Sequence, residues 1–260
     1  MGKLIQYIKQ PLWEKWYVGE KIGQGIYSEV YKIYSENKIA TLKVKPIFAD
    51  SNESLYRKIA VAEKEADIMC RLKECPYIIE YHGKMLQKIT DLFYLFMIKM
   101  ECLTPLTEQV NMFFNENTVY RIARDIGKAL EYIHENGIIH CDVKPDNFFR
   151  DSSGRYKLGD FNVSKYVGED RNVAGTVGYI APEISESGAV CSYQTDIYSF
   201  GVSLFQISHG LDIFSPNFSE IIMKACSCDV RDRYKTIDEM LYDIDNIKAE
   251  YYVDTAEYFC

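Results

Sequence analysis

The chain has 260 residues, of which 47% are hydrophobic and 26% are charged, as in one large globular domain or two smaller lobes. Lys and Arg total 30 against 38 Asp and Glu, so the formal charge is −8 and neither nucleic acid nor an anionic membrane is an expected partner. Eight cysteines lack C-x-x-C spacing, and no apolar run is long enough for a membrane span. We therefore expect a cytoplasmic protein.

The first part of the chain is rich in predicted strands. β-Branched and aromatic residues, broken by Gly and Asn, predict three successive strands between residues 16 and 45. Apolar residues at spacings of three and four then predict a helix over 51–73. Two further strands are predicted over 78–85 and 92–100. Together these elements form a five-stranded unit with one helix.

Helical periodicity dominates after residue 101. The clearest helix is predicted over 118–136, where one apolar stripe ends at Gly137. Further helices are predicted over 195–208, 219–225 and 236–251, the last with a capping box from Thr236 to Glu239. A β-rich lobe thus precedes an α-rich lobe, with the boundary near 101–104.

Two features of the first lobe suit phosphate binding. The segment GQGIYSEV at 23–30 lies between two predicted strands, and its glycines would let backbone amides approach phosphate oxygens, although a plain glycine-rich hairpin turn remains an alternative. Lys43 stands in an apolar strand, where a buried ammonium needs a nearby anion. Glu65 on the following helix is the predicted partner; the alternative is a lysine that reaches solvent from an edge strand.

Two loops of the second lobe carry polar side chains suited to catalysis. In HCDVKPDN at 140–147, Pro145 fixes an irregular loop that presents Asp142, Lys144 and Asn147. A carboxylate, an ammonium and an amide in this order suit hydroxyl orientation, phosphate neutralisation and metal coordination. Asp160 follows a predicted strand in LGDFN and could bind Mg²⁺ through oxygen. Each loop alone could be a simple turn.

Taken together, these segments resemble the protein kinase family. GQGIYSEV, ATLK, Glu65, HCDVKPDN, DFN and the APE at 181–183 follow the family's order, and the likeness runs from about residue 16 to about 250. The resemblance implies an α+β, bilobal protein-kinase-like fold with a five-stranded antiparallel N-lobe carrying one helix and a mainly α-helical C-lobe. It implies a single kinase domain over 1–260, with an N-lobe at about 14–101, a hinge at 101–104 and a C-lobe at 105–260.

The resemblance also implies roles for individual residues, with ATP and Mg²⁺ as cofactors. Asp142 would be the catalytic base, Lys144 would neutralise the transferring phosphoryl group, and Lys43 with Glu65 would fix the phosphates. The implied metal ligands are Asn147 and Asp160. The implied ATP-binding residues are Ile22, Gly23, Gln24, Gly25, Ser28, Val30, Lys43, Met100, Glu101, Leu103 and Phe149. The implied substrate and activation-segment residues are Thr176, Glu183 and Arg233.

The particular residues within these motifs refine the expectations. D-x-K-P-x-N with GTVGYIAPE resembles the serine/threonine branch rather than the tyrosine kinases. Cys141 stands where the family usually has an arginine that grips an activation-segment phosphate, so we expect activity without that phosphorylation. Lys165 or Arg171 could offer a substitute cation. Asn162 replaces the usual glycine after Asp160-Phe161, and we expect it to adopt a positive φ.

Two other functions share many of these features. A pseudokinase or nucleotide-binding scaffold would keep the shape without the chemistry, yet Lys43, Asp142 and Asp160 are all present. A small-molecule kinase of the aminoglycoside or choline type is disfavoured by Thr176, the APE segment and Arg233, which resemble a protein-substrate platform. We expect protein substrates with Ser or Thr acceptors, while substrate identity and oligomeric state stay open.

Overall fold

The computed structural model describes residues 4–26, 28–109, 115–169, 175–185, 190–208 and 216–257. The chain divides into two compact units. The first unit comprises Met1–Glu74 and Ile79–Leu103, and the second comprises Cys75–Ile78 and Thr104–Cys260. Each unit has its own secondary structure and its own core.

The first unit is built on a five-stranded antiparallel sheet with strand order β1-β2-β3-β5-β4. Its single long helix, α1, begins after Ser51, whose side chain accepts a hydrogen bond from the Ser54 amide over 3.2 Å. The elements are β1 (Tyr17–Gln24), β2 (Glu29–Ser35), β3 (Lys38–Phe48), α1 (Asn52–Arg71), β4 (Tyr81–Lys88) and β5 (Phe93–Met100).

The predicted start of β4 at residue 78 was wrong by three residues. Ile78 does not enter this sheet, because it forms a parallel bridge with Leu158 within the second unit. The neighbouring amide of Leu158 donates to the Tyr77 carbonyl over 2.9 Å. Residues 75–78 therefore satisfy their backbone in the second unit before the chain returns to the first.

The segment before β1 is part of the core of the first unit. Ile8, Leu12 and Trp16 are buried in one cluster with residues of β2, β3 and β5. The Leu4 amide donates to Glu29 Oε2 over 2.8 Å, at the start of β2. This segment therefore ties itself, by apolar burial and a charge-assisted hydrogen bond, to the strand that follows the glycine-rich turn.

The second unit is mainly helical. Asn115 caps the first turn of α2, since its side chain accepts from the Thr118 amide over 2.9 Å, and Gly137 with a φ of +70° follows the end of the helix. The elements are β6 (Thr104–Pro105), α2 (Glu116–Glu135), β7 (Ile138–Ile139), β8 (Phe148–Arg150), β9 (Tyr156–Leu158), β10 (Lys165–Tyr166), α3 (Tyr193–Ser208), α4 (Pro216–Ala225) and α5 (Ile237–Glu257).

The predicted architecture of a five-stranded antiparallel unit with one helix, followed by a mainly helical unit, is confirmed. A strand was predicted before Asp160, where β9 lies, but the other short strands from β6 to β10 were not, because two or three residues show no periodicity. Antiparallel pairs β7 with β10 and β8 with β9 hold the two ends of the loop at 140–147. Within the described ranges, every helix is too short or too polar to cross a lipid bilayer.

Candidate active site

The loop between β7 and β8 is held by one buried carboxylate, that of Asp196 on α3. Its Oδ2 accepts from the His140 amide and its Oδ1 from the Cys141 amide, each over 2.8 Å, and the His134 ring lies 3.0 Å from Oδ2. These bonds support Cys141 in a left-handed conformation with a φ of +66°. Asp196 was not among the predicted site residues, although a carboxylate 1% exposed inside an apolar helix needs several partners.

His140 connects this loop to the segment around Asp160. Its Nε2 lies 3.1 Å from the Gly159 carbonyl, and its Nδ1 accepts from the Asp142 amide over 3.3 Å. Since a carbonyl can only accept, these contacts define the neutral Nε2–H tautomer. Complete burial lowers the pKa of His140 and favours the same neutral form.

Four side chains predicted to act in catalysis, metal binding or the activation segment converge in the second unit. Lys144 Nζ lies 2.8 Å from Asp142 Oδ2 and donates to Thr176 Oγ1 over 2.6 Å. Thr176 in turn donates to Asp142 Oδ1 over 2.7 Å. The side-chain Nδ2 of Asn147 donates to the Asp142 backbone carbonyl over 2.8 Å and to Asp142 Oδ2 over 3.3 Å. The Asp142 carboxylate is therefore fixed from three directions while it remains partly exposed.

Asp160 lies close to this loop in the second unit. The preceding Gly159 amide donates to the Asn147 carbonyl over 3.0 Å, and Phe161 is buried with its ring centroid 5.0 Å from that of His140. The expected positive φ at Asn162 was wrong: Asp160 takes the left-handed conformation instead, with a φ of +61°. The turn is made two residues earlier, because the buried Phe161 ring anchors the backbone that follows.

The donor set at Asn147 and Asp160 fits a hard divalent cation. Oxygen ligands from carboxylate and amide groups are those that Mg²⁺ prefers. Because Asn147 Nδ2 donates to Asp142, its Oδ1 is the amide atom with the chemistry of a metal ligand. The Gly159 to Asn147 backbone bond brings the two candidate ligands into one region of the second unit.

Lys43 and Glu65 form a buried ion pair in the first unit. Lys43 Nζ on β3 lies 2.7 Å from Glu65 Oε1 on α1, and the two side chains are 9% and 2% exposed. Lys45, two residues further along β3, contacts Glu65 Oε2. The structure thus brings together the predicted pair and adds a second cation that the sequence analysis missed. The available signal was the spacing of Lys43 and Lys45, which places both lysines on one face of an apolar strand.

The glycine-rich segment forms a tight turn between β1 and β2. Gly23 pairs with Val30, and the Gly25 amide donates to the Ser28 carbonyl over 2.8 Å. A Cβ on Gly25 would lie 2.7 Å from Ser28 Oγ, so any other residue there would require the Ser28 hydroxyl to rotate away. Gln24 is the last residue of β1, and residue 27 lies outside the described residues.

The predicted adenine-binding residues lie in or next to strands. Met100 ends β5, where it is buried opposite Thr41. The Glu101 amide donates to the Glu80 carbonyl over 3.0 Å, and the Glu101 carboxylate accepts from the Glu80 amide over 2.6 Å. The others are Ile22 in β1, Val30 in β2, Leu103 after β5, and Phe149 in β8 of the second unit. Their contacts with adenine stay predictions.

Glu183 and Arg233 form a bidentate ion pair in the second unit. Arg233 Nη1 lies 2.8 Å from Oε1, and Nη2 lies 3.1 Å from Oε2. The guanidinium is fully buried and also donates to the carbonyls of Gln194 and Ser227. Because every contact uses the planar guanidinium group, this pair anchors the APE segment to the loop between α4 and α5.

These two units and the polar loops define the class of protein. The family model described as the protein kinase domain matches residues 16–252, and the chain belongs to this family. It is 30% identical over 203 residues to mitogen-activated protein kinase kinase kinase 17 of Arabidopsis thaliana. It is 28% identical over 225 residues to CBL-interacting protein kinase 11 of Oryza sativa and 28% identical over 205 residues to serine/threonine-protein kinase pakE of Dictyostelium discoideum.

The alignments cover most of this chain but a smaller part of each relative. They include 75%, 82% and 74% of the chain, in the order given, and 52%, 43% and 20% of the relatives. The chain therefore spans about half or less of the length of these curated relatives.

Proposed function

We propose that the chain is a serine/threonine protein kinase that transfers the γ-phosphoryl group of Mg-ATP to protein hydroxyls. The observation that carries the proposal is the hydrogen-bonded set of Asp142, Lys144, Thr176 and Asn147. A relative named as a serine/threonine-protein kinase supports acceptors of this type over tyrosine. The substrate protein and the cytoplasmic location stay predictions.

The geometry supplies positioning and charge for this reaction. The acceptor oxygen would attack the γ-phosphorus as the bond to ADP breaks, while the hydroxyl proton passes to the Asp142 carboxylate. Lys144, 2.8 Å from that carboxylate, would balance negative charge on the transferring group. Lys43, held by Glu65, would bind the α- and β-phosphates. A divalent cation bound by Asn147 and Asp160 would neutralise further phosphate charge.

The proposed activity also has no requirement for phosphorylation of the activation segment. Cys141 replaces the arginine that would bind such a phosphate, and the Thr176 hydroxyl contacts Lys144 and Asp142 directly. Lys165, one of the two cations considered as substitutes for that arginine, lies in β10, whereas Arg171 lies outside the described residues. These contacts need no added charge to position the carboxylate.

Transfer of ³²P from labelled ATP to generic proteins and to the chain itself tests the main proposal. Asp142→Asn should abolish transfer, whereas Asp146→Asn, an exposed acid in the same loop, should retain it. Phosphoamino-acid analysis should find phosphoserine or phosphothreonine. ATP binding without transfer by the unaltered chain would instead favour a nucleotide-binding scaffold.

Phosphatase treatment tests whether the activity is independent of phosphorylation of the activation segment. Exhaustive dephosphorylation, verified by mass spectrometry, should leave the rate of transfer unchanged. Loss of activity on dephosphorylation, and its return after the chain phosphorylates itself, would contradict independence from the modification.

A further inference from the structure

Cys141 occupies a strained and buried position beside the catalytic aspartate. Its φ is +66°, its amide donates to Asp196 Oδ1 over 2.8 Å, and its Sγ lies 3.6 Å from the Ile139 carbonyl oxygen. The residue is 8% exposed. Any change that moves this sulfur therefore acts on the backbone of the residue next to Asp142.

Cys191, two residues before α3, brings a second thiol to the same place. The two side chains are hydrogen-bonded to each other, and both line one pocket with Gly175, Thr176 and Tyr179. The loop and α3 are also joined by their backbone, because Asp196 on α3 accepts a hydrogen bond from the Cys141 amide. The bond to Cys191, together with burial, raises the pKa of Cys141, so Cys141 is in the thiol form at rest.

We propose that Cys141 and Cys191 close into a reversible disulfide that switches the catalytic loop off. None of the described cysteines is in a disulfide, and the Cys141 and Cys191 side chains are hydrogen-bonded to each other beside Thr176. The regulatory part of the inference rests on the proposed kinase function, but formation of the bond does not.

The chemistry requires an oxidant of the peroxide class. Cys191 is half-buried whereas Cys141 is buried, so peroxide reaches Cys191 first. The Cys191 sulfur attacks one peroxide oxygen, the O–O bond breaks, and sulfenic acid and one water form. The Cys141 sulfur then attacks the Cys191 sulfur, the S–O bond breaks, and a second water leaves. Two thiols and one peroxide thus become one disulfide and two waters.

Closure must disturb the catalytic loop. A disulfide holds its sulfurs about 2.05 Å apart, much closer than two hydrogen-bonded thiols. The shift is transmitted to Asp142, whose carboxylate depends on short bonds from Lys144 and Thr176. Misplacement of a catalytic group by about 1 Å can lower the rate by about a hundredfold. We expect oxidation to lower transfer by at least about tenfold and thiol reductant to restore it.

The test treats the reduced full chain with hydrogen peroxide and then follows two readouts. Mass spectrometry of a non-reducing digest should find the peptide pair linked through Cys141 and Cys191, and hydrogen exchange should change at amides 138–147. Transfer of labelled phosphate is measured on the same samples before and after dithiothreitol. Cys191→Ser and Cys191→Ala should both resist peroxide, while Cys226→Ser, which removes another half-buried thiol, should stay sensitive.

The outcomes are distinguishable. A linked peptide with reversible loss of transfer supports the switch. Absence of that peptide, or its formation with transfer unchanged, overturns it. If the reduced chain transfers no phosphate, the proposed kinase function fails, and the linked peptide with altered hydrogen exchange still decides whether the disulfide forms and moves the loop.

Discussion

The Thr176 hydroxyl donates to Oδ1 of Asp142 over 2.7 Å, although 34 residues separate the two in the sequence. The same hydroxyl oxygen accepts from Lys144, so a neutral side chain bridges an acid and a base that also contact each other directly. This bridge restricts rotation of the Asp142 carboxylate. The orientation of the proposed catalytic base therefore depends on the activation segment.

Replacement of Thr176 tests this dependence. Thr176→Ala removes the hydroxyl and should lower kcat by about tenfold to a hundredfold, because the carboxylate loses one of its positioning bonds. The KM for ATP should change little. Thr176→Ser keeps the hydroxyl and should restore most of kcat in the same steady-state assay. Equal losses in both variants would show that the methyl group, rather than the bridge, matters.

Much of the site could be predicted from short motifs because each residue type has a chemical reason for its place. A lysine in an apolar strand and a glutamate on the next helix were paired from the cost of burying a charge alone, and the structure joins Lys43 to Glu65. The loop at 140–147 was predicted from Pro145 and its polar neighbours. In each case local sequence carried the signal.

The sequence did not predict the features that depend on tertiary structure. Asp196 binds the amides of His140 and Cys141 from 56 and 55 residues away, and no spacing rule connects them. The left-handed residue is Asp160 rather than Asn162, since burial of Phe161 sets the backbone. The early end of the first unit at Glu74, with its return at Ile79, depends on the bridge from Ile78 to Leu158.

Glu65 is predicted to be essential to the stability of the first unit. Glu65→Gln leaves the side chain nearly the same size but removes the charge that compensates two lysines. Loss of one partner from a buried pair costs about 3 to 5 kcal/mol, so the free energy of unfolding in urea should fall by about that amount. Glu63→Gln, on the exposed side of the same helix, should cause only a small fraction of that change.

The bidentate pair of Arg233 predicts that lysine cannot replace this arginine. Arg233→Lys keeps the charge but cannot span both oxygens of Glu183 and both carbonyls, and it leaves buried groups unpaired. The free energy of unfolding should fall by about 3 kcal/mol or more. Arg231→Lys is a matched control, because that side chain is 88% exposed while bound to Asp229. A similar loss in both variants would contradict the role of burial.

The buried His140 predicts a loss of stability in mildly acidic solution. Because burial lowers its pKa in the folded chain, the unfolded chain binds the proton first as the pH falls below the ordinary value of 6.5. The His140 contribution is therefore complete above that value and decreases below it, by at most about 1.4 kcal/mol per pH unit. Urea unfolding between pH 7.5 and pH 5.5 measures the slope.

A variant assigns that slope to His140. His140→Gln removes the titrating ring, so its free energy of unfolding should depend less on pH over the same interval by up to one proton, even though its stability at pH 7.5 is lower. The slope is the readout that separates titration from simple loss of packing, and an unchanged slope in His140→Gln would show that the ring titrates alike in the folded and unfolded chain.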